Sequence, residues 1–243
     1  MEKKYELTND TIDFEGRTLR RIRALKDFEM VEKGDLGGFV ESEHNLSQKG
    51  NCWLYEDAKA FDVAEVCDNA ILRHYSIARG AALVCDNAEV YDNAVVKDNA
   101  ILSYSATLCD NAELLDNAKA SGTVEIGGNS FIGGDIGIYG KARILMTDLY
   151  DNKLKGIAAF TGNTFIASSK DFLTVGPIGS RLDYTTFART IDDKIWVTCG
   201  CFKGTIDEFK AKVKETHSRV SLYRKEYLDA IKLAKKHIKI RKG

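Results

Sequence analysis

The sequence predicts a mainly β protein: a left-handed parallel β-helix with an N-terminal β cap and a C-terminal α+β module. Three observations carry this. The triplet Asp-Asn-Ala begins at Asp68, Asp86, Asp92, Asp98, Asp110 and Asp116, and every interval is a multiple of six. Stepping by six from Ala58 to Ala142 meets alanine at eleven of fifteen positions, and stepping from Ala60 to Ile144 meets an aliphatic residue or alanine at all fifteen. The chain also combines twenty glycines with a single proline, which suits many tight corners and few long loops.

In such a repeat, six residues make one short strand and one corner, and three hexads make a triangular coil of eighteen. The aliphatic residue points inward along a face, and the small residue fits the cramped interior near the next corner. Asparagine at the corner is expected to take the positive φ that branched residues resist. The aspartate is expected to accept a hydrogen bond from local backbone. Positions eighteen apart stack at a strand spacing of about 4.8 Å, so residues 46–144 make about 5.5 coils. An amphipathic helix would need a period near 3.6, and the asparagine, glycine and β-branched content opposes it.

A shaft of this kind needs its ends covered. Residues 1–45 are the expected N-terminal β cap, with alternation around Glu15-Gly16 reading as a hairpin and 34–38 as a turn into the first coil. Residues 145–243 are the expected α+β module. Strands are predicted at 172–175, 185–191 and 194–199, separated by 176–180 and by Asp192-Asp193, with Cys199-Gly200-Cys201 alternating along a strand. Thr205 and Glu208 form a capping box that opens a helix running to about His217, with Ile206, Phe209 and Val213 on one face. A second helix is predicted from near Ser221, carrying Tyr223, Tyr227, Ile231, Ala234 and Ile238 at helical spacing.

The net charge is −1, but residues 46–144 carry −6 and residues 145–243 carry +8. That balance excludes a wholly basic nucleic-acid binder, and an acidic shaft makes nucleic acid an unfavoured partner. No apolar run reaches the roughly 18 residues of a membrane span, so no membrane partner is expected. The N-terminus lacks a hydrophobic leader, and six cysteines without one read as reduced thiols in a cytoplasm.

No catalytic residue, metal ligand set or cofactor is predicted. His74 is the histidine within the repeat, but a general base needs an orienting partner, and the sequence alone names none. Cys67 and Cys85 stack on adjacent coils, and Cys199 and Cys201 lie close together, yet neither pair has the second pair that zinc requires. The candidate ligand-binding loop is Gly176, Gly179, Ser180 and Arg181. There, glycines let backbone amides converge and the two side chains could hold an anion such as a small nucleotide. The outward aliphatic residues Ile71, Ile77, Leu83, Val95 and Ile101 are candidate interface positions and suggest a homo-oligomer, dimer or trimer. Lys232, Lys235, Lys236 and Lys239, with Arg241 and Lys242 beyond them, form a candidate basic face for an acidic partner or nucleic acid, whereas the loop at Ser180 and Arg181 is the candidate site for an anionic small molecule.

Three segments carry a family resemblance. They are Arg21-Ile22-Arg23-Ala24-Leu25 through Gly34-Asp35-Leu36-Gly37-Gly38-Phe39-Val40-Glu41-Ser42, the Asp-Asn-Ala coils, and Cys199-Gly200-Cys201-Phe202-Lys203-Gly204-Thr205 continuing to His217. Together they resemble a group of uncharacterised phage and prophage hexapeptide-repeat proteins of bacteria. The resemblance implies a bacterial host cytoplasm and a non-catalytic binding or scaffold protein. Its most concrete form is an inhibitor of a host defence system that binds a host protein or its signal. The alternative is a hexapeptide-repeat acyltransferase, which this chain resembles in the repeat alone. Such enzymes usually work as trimers, with acyl-CoA between neighbouring shafts and a histidine as general base. The unbroken register from Ala58 to Ala142 extrudes no loop to wall a pocket.

Overall fold

The computed structural model describes residues 3–146, 153–154 and 157–240. Most hexads place two residues in a strand and turn, and toward the C-terminal end some strands lengthen to four or six residues. Strands eighteen residues apart then pair parallel and in register, as in Ile71↔Glu89↔Thr107, Ile77↔Val95↔Glu113 and Leu83↔Ile101↔Lys119. The result is three stacked sheets forming a parallel β-solenoid of about six turns. The second residue of each strand faces inward: Leu72, Val84, Val90, Val96 and Leu102 are fully buried, and so are the small residues Ala70, Ala88 and Ala106. Each buried aliphatic side chain contributes about 1.5–3 kcal/mol relative to exposure, so the repeat supplies a continuous core without long-range loops.

The corners depart from expectation in a way that explains the triplet. Positive φ falls on the aspartate, not the asparagine: φ is 57° at Asp68, 59° at Asp86, 58° at Asp92 and 57° at Asp110. The carboxylate also reaches the next coil instead of local backbone. Asp68 Oδ2 accepts from the N–H of Asp86 at 3.2 Å, and Asp110 Oδ2 accepts from Gly128 at 2.6 Å. Aspartate tolerates the left-handed region because its short acceptor can bond backbone there. The following asparagines stack into a ladder in which Asn93 Nδ2 donates to Asn111 Oδ1 at 3.1 Å and Asn111 Nδ2 to Asn129 Oδ1 at 3.2 Å. Both side chains of the pair therefore bond along the shaft axis.

At the N-terminal end, β1 (Tyr5–Phe14) and β2 (Arg17–Ala24) form the expected hairpin around Glu15-Gly16. β3 (Leu36–Val40) pairs antiparallel with β2 and parallel with the strand Lys59–Ala60, which joins cap to shaft. Gly37 and Gly38 therefore lie within a strand and not in a turn. A Cβ at Gly38 would sit 2.3 Å from the Ala58 carbonyl oxygen, so glycine permits this close backbone approach. Lys4 is fully buried here. Its Nζ donates to the Cys52 carbonyl at 2.8 Å and lies 3.1 Å from Cys52 Sγ, while burial lowers its pKa below the usual lysine range.

At the other end, the strands Phe172–Ile178, Asp183–Arg189, Ile195–Cys199 and Phe202–Thr205 form an antiparallel sheet. Helices α1 (Ile206–Thr216) and α2 (Leu222–His237) pack on it through Phe209, Val213, Tyr227 and Ile231. Thr205 caps α1 as expected, with its Oγ1 accepting from the Glu208 N–H while Glu208 Oε2 accepts from the Thr205 N–H. Several local expectations change. Gly176 to Ile178 extend the first strand, 202–205 form a fourth strand, and Gly200 at φ 56° makes the turn that takes Cys201 off the strand. Tyr223 is exposed, off the apolar face of α2. The sheet abuts the last coil, where Phe172 meets Phe160 edge-on at 5.5 Å and Trp196 Nε1 donates to Thr161 Oγ1 at 3.0 Å. Among the described residues, no helix is long and apolar enough to cross a membrane.

Candidate functional site

His74 occupies the corner position that Asp92 and Asp110 hold in the next two coils, and it shares their left-handed backbone at φ 57°. Its backbone N–H donates to Glu56 Oε2 at 2.6 Å. The ring Nδ1 lies 3.0 Å from Asp92 Oδ1 and 3.2 Å from the Asp92 backbone nitrogen. These two contacts belong to different tautomers. With Nδ1 bare, the ring continues the corner ladder as an acceptor. With Nδ1 protonated, it donates to the Asp92 carboxylate and leaves Nε2 as a free base.

The half-exposed ring opens onto a cavity of about 370 Å³ lined also by Glu56, Asp57, Tyr75 and Asn93. Three carboxylates, those of Glu56, Asp57 and Asp92, line this rim. The orienting partner that the sequence did not name is thus Asp92, eighteen residues downstream. The signal that locates it is the same coil spacing that stacks the repeat.

The other candidates fall elsewhere. Ser180 and Arg181 are exposed at the turn after the strand Phe172–Ile178, while Gly179 is buried and its N–H donates to Glu226 Oε2 at 2.8 Å. Gly176 lies inside the strand, so its amide does not converge with that of Gly179 in one loop. Ile77 pairs with Val95 on one sheet and Leu83 with Ile101 on another, with Ile71 on the third. All five are half-buried, and Ile77 packs against the cluster of Leu19, Phe39 and Phe61 under the N-terminal hairpin. Lys232 pairs with Asp229 at 2.9 Å and Lys235 with Asp207 at 3.2 Å. Lys236 and Lys239 are exposed without a carboxylate partner among the described residues. Arg241 and Lys242 lie outside the described residues.

The shaft thiols are poor nucleophiles. Burial, reinforced by the adjacent Asp68 and Asp86, pushes Cys67 up to about 12 and Cys85 up to about 11, so both stay protonated at neutral pH. Among the described residues, no three His, Cys, Asp or Glu side chains group as a metal site.

No protein-family model matches the chain. A stretch of 70 residues is 39% identical to the uncharacterised acetyltransferase YdcK of Escherichia coli (strain K12), covering 28% of this chain and 22% of that protein. The aligned stretch is therefore less than a quarter of the relative's length. The likeness, on a β-helix typical of hexapeptide acyltransferases, points to an enzyme and overturns the expectation of a non-catalytic protein. Neither a phage origin nor a role against host defence follows from these findings.

Proposed function

We propose that the protein is a hexapeptide-repeat acyltransferase that moves an acyl group from acyl-CoA to a small acceptor at the His74 corner. The observation that carries this reading is the 3.0 Å contact between His74 Nδ1 and Asp92 Oδ1 beside a cavity on the shaft. The fold and the acetyltransferase relative support it. Asp92 holds the ring with Nδ1 protonated. Nε2 removes the proton from the acceptor O–H or N–H as the acceptor lone pair attacks the thioester carbonyl. The C–S bond then breaks, and the departing CoA thiolate takes the proton back from the imidazolium. General-base help of this kind contributes about 10²–10⁴ in rate.

Shafts pack side by side through the half-buried Val95 and the pair Leu83–Ile101, in a dimer or trimer with the acyl-CoA between neighbours. Two measurements test the proposal. Acetyl-CoA should raise the unfolding temperature saturably, and CoA should be released in the presence of amine or hydroxyl acceptors. No stabilisation by acetyl-CoA would overturn the reading, and a monomer by light scattering would overturn the packing.

A further inference from the structure

The C-terminal module holds a second cavity, of about 430 Å³, between the sheet and the two helices. That volume lies within the range of small-molecule sites. Its apolar lining is aromatic: Phe202 and Phe209 tilt against each other at 5.1 Å, and the His217 ring stacks on Tyr227 at 5.8 Å and 28°. Its polar lining is basic. Arg181, Lys212 and His217 border it, and no carboxylate does among the described residues.

Lys212 is paired with the exposed Glu215 at 3.1 Å, whereas Arg181 has no ion-pair partner among the described residues. The guanidinium lies beside the Gly200 turn, where a Cβ at Gly200 would sit 2.8 Å from Arg181 Nη1. The preceding turn is pinned. Glu226 accepts the Gly179 N–H at 2.8 Å, and the Tyr227 hydroxyl packs so tightly on Gly179 that a Cβ there would lie 1.9 Å away. An unpaired guanidinium beside an aromatic cavity favours a planar ligand with a negatively charged group, which the arginine fork can bind through two donors.

We infer that this cavity binds a small aromatic anion of nucleoside-monophosphate size, with its charged group on Arg181 and its ring among Phe202, Phe209 and Tyr227. The inference is independent of chemistry at His74.

The test is calorimetric titration of the full chain with AMP, using adenosine as the uncharged control. AMP should bind saturably, and adenosine should bind at least about tenfold more weakly, a difference of about 1.4 kcal/mol. Arg181→Ala should weaken AMP by about tenfold or more with an unchanged unfolding midpoint, as expected for an exposed side chain. Lys212→Ala should weaken it less, and His74→Asp should leave it unchanged. Three results would each overturn the inference: no saturable AMP binding, equal affinity for adenosine, or an Arg181→Ala variant that folds and binds AMP like the parent.

Discussion

Asp92 Oδ1 lies 3.0 Å from His74 Nδ1, one coil further along the shaft, where an aspartate–backbone bond links the coils at neighbouring corners. A histidine has replaced one rung of a structural ladder. The same corner geometry that stabilises the shaft thereby presents an imidazole with a carboxylate behind it.

Replacing His74 by aspartate restores the residue that this column uses in the following coils. His74→Asp should keep the left-handed corner and supply an acceptor for the Asp92 N–H, so stability should change by less than about 0.5 kcal/mol. Urea unfolding checks this. A loss of several kcal/mol would mean that the imidazole is a structural requirement of the corner.

The interior has no spare room at the small positions. Ala88 is fully buried between the inward-facing aliphatic residues of adjacent strands. Ala88→Leu should destabilise by about 1–3 kcal/mol through overpacking. Leu102→Ala should cost about 2–5 kcal/mol through the cavity it leaves. Chemical denaturation of both variants checks the pair, and a neutral Ala88→Leu would place that position at the surface.

Alkaline pH should weaken the shaft. Cys67 and Cys85 are raised from an ordinary value of 9.0 to about 12 and about 11. Above pH 9 the unfolded chain releases these protons while the folded chain keeps them. Their stabilising contribution is therefore complete below pH 9 and is lost as pH rises through about 11–12. In the parent, the unfolding free energy should fall over this window, and the fall should be shallower in the Cys67→Ser, Cys85→Ser double variant. At neutral pH an alkylating reagent should modify the exposed Cys201 well before either shaft thiol.

Lys4 should act with the opposite sign. Burial lowers its pKa from 10.5, so between that lowered value and 10.5 the unfolded chain binds more protons and the Lys4 contribution rises with pH. Lys4→Met should remove that slope. It should also cost about 1–3 kcal/mol, because the buried Cys52 carbonyl loses its ammonium donor. Unfolding curves of parent and variant at pH 7 and pH 10 measure both effects.

The shaft was legible because a period of six leaves its mark on every inward position from Ala58 to Ile144. Which member of each Asp-Asn pair takes the left-handed corner was not legible. Both residues tolerate positive φ, and only stacking distinguishes the aspartate that bonds backbone from the asparagine that bonds another asparagine. The two ends were harder still. Gly37 and Gly38 resemble turn glycines, yet they serve a close approach between strands that no local pattern records. At the site, His74 was visible and its partner was not, because a carboxylate eighteen residues away becomes a neighbour only when the coil length is applied to it. The aromatic cavity beside Arg181 draws Phe202, Phe209, His217 and Tyr227 from one strand, two helices and the residue that ends α1, and their convergence depends on packing instead of spacing.

The most direct measurement is the rate of CoA release from acetyl-CoA, in the presence of an acceptor, by the parent, His74→Asp and Asp92→Asn. The parent should turn over, and His74→Asp should lose activity by about 10²-fold or more while remaining folded. Asp92→Asn should also be slowed, since the amide cannot stabilise the imidazolium as a carboxylate does. A parent that releases no CoA, or a folded His74→Asp variant that matches it, would contradict acyl transfer at this corner.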